Sequence, residues 1–181
     1  MVGALLGDHV KGVLREGDWP DSWLAGIRLH RRIDALTDRH PALDPCRESL
    51  PPEWRRYGGL LIDVCLDHWL ACHWSEVSDE PLAPFAQRVY QVLDQALPEL
   101  PPSARRHASL LIRHQPLQDY RHRDMVIATL ERIGRRLSRP NPLHRSREVL
   151  APRWELWRLP MARFYRELPG QLELSGHLPA R

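Results

Sequence analysis

Apolar residues recur along this chain at intervals of three and four, the period of helices laid against a core. The segment from 85 to 97 shows it most simply: Phe85, Val89, Val92 and Leu93 share one stripe between polar neighbours. No stretch alternates apolar and polar residues at period two, and β-branched residues are few, so strands are not expected. The 17 prolines punctuate this pattern. They gather where a helix can begin or has just ended, as at Pro20, Pro41, Pro51-Pro52, Pro98 to Pro102 and Pro152. The segments between them predict helices over about 2–14, 20–38, 42–49, 53–76, 82–97, 102–115, 117–137 and 146–168. Asp21-Ser22, after Pro20, supplies an N-cap region. The expectation is an all-α chain of about seven to eight helices, one domain over 1–181, its tail from about 170 frayed.

Composition narrows the class. With 43% hydrophobic and 27% charged residues among 181, the chain can bury a core. No apolar run is long enough to cross a membrane, and the N-terminus lacks the basic region of a signal peptide. A cytoplasmic protein is expected. Cys46, Cys65 and Cys72 form no metal-binding spacing and read as reduced, buried thiols. The net charge is only +3, but Lys11 is the sole lysine. Genome composition accounts for such a bias; a partner rich in carboxylates or phosphates, which the guanidinium fork matches, is the functional alternative.

Three clusters carry candidate chemistry. In Tyr57-Gly-Gly-Leu-Leu-Ile-Asp-Val-Cys-Leu-Asp-His-Trp, Asp63 and Asp67 stand one turn apart in an apolar helix expected to be buried. Like charges at that spacing repel, and burial magnifies the penalty unless a cation answers them. That cation is an arginine of another helix or a metal ion, and His68 adjoins the pair. The second cluster, His30-Arg31-Arg32-Ile33-Asp34-Ala35-Leu36-Thr37-Asp38, puts His30, Asp34, Thr37 and Asp38 within one helical arc. An imidazole and a carboxylate one turn apart suit Mn²⁺, Fe²⁺ or Mg²⁺. An ion-pair network through Arg31 or Arg32 suits the same spacing, so both readings stand. In the third, Leu5-Leu6-Gly7-Asp8-His9-Val10-Lys11-Gly12, Asp8 interrupts an apolar turn, and a surface pair with Lys11 is the default. His40, His107, His114, His122, His144 and His177 read as surface or core-edge residues. Arg105-Arg106, Arg121 to Arg123 and Arg135-Arg136 form a basic set able to dock an acidic protein.

Leu-Leu-Gly-Asp8-His-Val-Lys-Gly, His30-Arg-Arg-Ile-Asp34 with Thr37-Asp38, Arg56-Tyr-Gly-Gly-Leu-Leu-Ile-Asp63-Val-Cys-Leu-Asp67-His68 and His73-Trp74 together resemble the acyl carrier protein phosphodiesterase family. The resemblance implies an all-helical fold related to the HD phosphohydrolases. It implies hydrolysis, dependent on a divalent cation (typically Mn²⁺), of the phosphodiester joining phosphopantetheine to a serine of acyl carrier protein. Asp8 matches the family's essential aspartate, although Gly7 precedes it. On this resemblance Asp8, His30, Asp67 and His68 are the expected metal ligands, with Asp34 added to the catalytic set. Lys11, Arg31, Arg32, Arg121 and Arg123 are the expected substrate contacts. The partner is acidic acyl carrier protein, with neither nucleic acid nor membrane. Family members usually begin earlier, with a histidine-containing segment that this sequence lacks. The alternatives are an inactive relative acting as a helical binding module and an HD-like phosphohydrolase of small nucleotides.

Overall fold

The protein is described from a computed structural model, over residues 1–174. The described residues contain helices and turns and no strand, as the proline-bounded periodicity predicts. The nine α-helices among the described residues are α1 (Val2–Gly7), α2 (Asp21–Arg39), α3 (Asp44–Glu48), α4 (Gly58–Cys72), α5 (Leu82–Ala96), α6 (Pro102–His114), α7 (Arg123–Arg136), α8 (Ser146–Leu150) and α9 (Trp154–Leu174). No helix among the described residues is long and apolar enough to cross a membrane.

Boundaries moved where local chemistry opposes a long helix. The helix expected over 2–14 stops at Gly7; beyond it Gly12 and Gly17 take φ of 81° and 88°, a left-handed backbone that no α-helix contains. Pro51-Pro52 turns the start of the 53–76 segment into a tight 3-10 stretch, Pro52–Tyr57, ahead of α4. Pro152 splits the 146–168 segment into α8 and α9. Pro160 lies inside α9, as the expected 146–168 helix requires, and so does Pro169; residues 170–174, expected to fray, continue the helix. The rest of the tail, His177 included, lies outside the described residues.

The chain groups into two compact units, each built from two separate stretches: Met1–Ala35 with Ser75–Gln118, and Leu36–Trp74 with Asp119 onward. The first has a core of small and aliphatic side chains, including Val2, Leu6, Ile27, Leu93, Leu100, Ala104 and Ala108. Here α1 meets α2 backbone to backbone: a Cβ on Gly26 would stand 2.8 Å from Gly3 Cα, and one on Gly3 only 2.2 Å from the Trp23 carbonyl oxygen. Glycine at both positions is a steric requirement. The second unit is aromatic and larger-grained, with Trp54, Tyr57, Trp69, Trp157 and Phe164 around the apolar sides of α4 and α9. The Trp157 indole N–H donates to Ser49 Oγ at 3.0 Å, so its buried donor is satisfied.

Candidate functional site

The turn that ends α1 fixes the first acidic residue. His9 and Val10 N–H both donate to the Leu6 carbonyl, and Asp8 stands just past the helix with its side chain 62% exposed. Gly7 shapes what faces it: a Cβ there would lie 2.1 Å from His30 Cδ2, so the imidazole of α2 lies against the bare backbone of α1. His30 Nε2 is 3.3 Å from Asp8 Oδ1 and 3.1 Å from Asp34 Oδ2. Two carboxylates therefore converge on one ring nitrogen.

The electrostatics follow from this geometry. The hydrogen bond from His30, supported by the charges of His30, His107 and His9, holds the Asp8 carboxyl below its ordinary value against the opposing effect of burial. Reciprocally, the Asp8 hydrogen bond and the two nearby carboxylate charges raise His30 above its ordinary value, despite partial burial. Arg31 locks the segment in place: Nη2 donates to the Val10 carbonyl at 2.7 Å and Nη1 to the Gly12 carbonyl at 2.8 Å. It thus acts on the backbone, while Arg32 keeps a buried Nε with no hydrogen-bond partner among the described residues. Lys11, the expected local partner of Asp8, is exposed, and the partner found is His30.

A neighbouring pair escaped the sequence reading. His9 Nε2 faces His107 Nδ1, from α6, at 3.1 Å, with both rings half-buried. Ninety-eight positions separate the two residues, so no local periodicity could link them. The one signal available was that His107 falls at the edge of the stripe that Ala104, Ala108 and Leu111 turn to the core.

The second unit treats its candidates differently. Asp63 and Asp67 are exposed, which corrects the expectation that they are buried. His68, beside them, turns inward: its Nδ1–H donates to the Tyr120 carbonyl at 2.6 Å, and its ring meets Trp154 edge-on at 5.3 Å. Burial pushes its pKa down, and the bond to Tyr120 only partly opposes this. It borders a cavity of about 170 Å³ with Cys65, Trp69, Cys72, Trp154 and Met161. Arg123 lies over the Trp154 ring and pairs with Glu155 at 3.2 Å; Arg121 Nε donates to the Ala71 carbonyl at 3.3 Å. All three cysteines are free thiols, but Cys72 is exposed rather than buried. His40, expected at the surface or the core edge, is buried: Nδ1 accepts from Ala42 N–H, Nε2 lies 2.7 Å from the Gln171 amide, and Phe164 packs edge-on.

The match that decides the family is broad: the acyl carrier protein phosphodiesterase model covers residues 1–168. This chain belongs to that family. It is 31% identical over 167 residues to the acyl carrier protein phosphodiesterase of Klebsiella pneumoniae subsp. pneumoniae, covering 92% of this chain and 86% of the relative. The protein of the same name from Escherichia coli O139:H28 is 34% identical over 176 residues, 97% of this chain and 89% of the relative. That from Escherichia coli O45:K1 is 37% identical over 145 residues, 80% and 75% of the two chains. No solved structure gives a significant match. The family is one of enzymes, phosphodiesterases named for acyl carrier protein.

Two carboxylates and an imidazole are the oxygen-rich, nitrogen-bearing donors that suit Mn²⁺ or Mg²⁺, and in chemistry Asp8, His30 and Asp34 fit. As they stand, the imidazole nitrogen itself fills the space between the carboxylates. Among the described residues no group of three or more His, Cys, Asp or Glu side chains is arranged as a ready coordination shell.

Proposed function

We propose that this chain hydrolyses the phosphodiester joining 4′-phosphopantetheine to a serine of holo-acyl carrier protein, using a divalent cation such as Mn²⁺. The observation that carries the reading is the convergence of Asp8 and Asp34 on His30 Nε2, on the residues that match the family's motif. Asp8, His30 and Asp34 would hold the cation. Such an ion, when bound, offsets charge developing on the phosphoryl oxygens and lowers the pKa of a water from 15.7 toward about 7.

The chain's own residues supply position. Arg31 clamps the carbonyls of Val10 and Gly12 and so fixes Asp8 against α2. Gly7 admits the His30 ring, and Asp34, one turn along, steadies its other side. Hydrolysis adds water across the bond between phosphorus and the serine oxygen: the hydroxyl goes to phosphorus and the proton to serine. Exposed arginines of each unit, Arg105 and Arg106 in the first and Arg135 and Arg136 in the second, attract an acidic carrier protein in a salt-sensitive way.

Mass spectrometry of holo-acyl carrier protein incubated with the chain and Mn²⁺ tests the reading. Conversion to the apo form, lost with chelator and in Asp8→Ala, is expected. Full turnover in Asp8→Ala, or rapid cleavage of nucleotides with the holo carrier untouched, overturns it.

A further inference from the structure

His9 and His107 supply no ligand in the reading above, although their charges bear on Asp8. His9 occupies the turn whose N–H groups are bonded to the Leu6 carbonyl, and the flanking Val10 carbonyl is held by Arg31. His107 projects from the middle of α6, where its neighbours Ala104 and Ala108 are fully buried in the first core. Both side chains thus come from anchored backbone. Their ring centroids lie 5.4 Å apart at an interplanar angle of 58°, so the rings meet at their nitrogen edges instead of stacking.

Two imidazole nitrogens facing each other at 3.1 Å hold either a shared proton or a cation. Ligand bonds of about 2.1 Å to both would subtend about 95° at the ion, between the octahedral and tetrahedral angles. An all-nitrogen claw selects differently from the carboxylate-rich cluster around His30: imidazoles favour Zn²⁺, Ni²⁺ or Cu²⁺, and oxygen donors favour Mg²⁺ or Mn²⁺. We propose that His9 Nε2 and His107 Nδ1 form a second cation site, separate from the Asp8–His30–Asp34 cluster, that takes a borderline transition-metal dication such as Zn²⁺ or Ni²⁺. Water completes the shell, as the partial exposure of both rings permits. The proposal is independent of the phosphodiesterase reading, because it concerns different donors and a different class of ion.

Isothermal calorimetry with ZnCl₂ and NiCl₂ on the tag-free chain, paired with imidazole NMR, tests it. One equivalent of Zn²⁺ is expected to bind and to shift the His9 and His107 resonances together. His107→Gln, which keeps a helix-forming side chain of similar size, and His9→Phe should each weaken binding at least tenfold, with unchanged circular dichroism. His30→Gln, which depletes the catalytic cluster, and His144→Ala, at an exposed site, should leave zinc affinity within twofold. Absence of zinc binding to the wild-type chain overturns the proposal. So does wild-type affinity in His107→Gln, or a loss of zinc confined to His30→Gln.

Discussion

Histidine and aspartate are used in opposite ways in the two units. In the first, His30 is gripped by two half-exposed carboxylates and held toward its charged form. In the second, His68 and His40 are desolvated and pushed toward neutrality, while Asp63 and Asp67 face outward. Similar spacings in sequence thus produced a carboxylate-gripped imidazole in one place and exposed aspartates next to the partly desolvated His68 in the other. What separates them is the surroundings: a bare glycine backbone and a guanidinium clamp on one side, stacked aromatic rings on the other.

The sharpest way to break this contrast is to neutralise Asp8. Asp8→Asn should lower turnover of holo-acyl carrier protein by about 100-fold or more, the scale of losing a preorganised charged group at a reacting phosphoryl centre. Comparable activity to wild type in a steady-state assay would place the chemistry elsewhere. Next in size, Trp157→Ala should cost about 3–5 kcal/mol in urea unfolding, because a 2% exposed indole leaves a cavity and an orphaned Ser49 contact. Gly7→Ala should cost about 1–3 kcal/mol and displace the His30 ring, read as a shifted His30 imidazole resonance.

Acidification supplies a subtler test, with opposite signs in the two units. His30 is raised in the fold, so its stabilising contribution is full below its unfolded value near 6.5 and is lost as pH rises through the higher folded value. His40 is lowered, chiefly by burial, so its folded form loses stability as pH falls from about 6.5 through the lower folded value. Thermal melts between pH 8 and 5 should therefore show His40→Gln flattening the acid decline and His30→Gln removing a gain. Identical profiles in the two variants would contradict the contrast. The smallest effect is expected from Asp67→Asn, which should stay within about 0.5 kcal/mol in stability, as surface replacements usually do, and keep turnover near wild type.

The all-α architecture was legible because prolines marked the breaks and the apolar period was 3.6 throughout. The His30–Asp34 contact was legible too, being one turn of one helix. Asp63 and Asp67 misled because α4 is so apolar that it reads as buried all round. Yet Gly59, Asp63 and Asp67 recur at i, i+4 and are all exposed, the stripe that a largely buried helix still shows to water. His9 and His107 were out of reach for another reason. Tertiary packing alone joins the end of α1 to the middle of α6, and no period in the chain encodes it.

The contact between Gly3 and Gly26 sets a manufacturing tolerance for the chemistry downstream. With main chain resting on main chain, the gap between Asp8 and His30 is gauged by two backbones that have no rotamers to relax. A single methyl group wedged into that joint would open the jaws that grip His30, and displacements of about 1 Å at a reacting centre can cost on the order of 100-fold in rate. The smallest residues in the molecule thereby govern the reach of its most reactive ones.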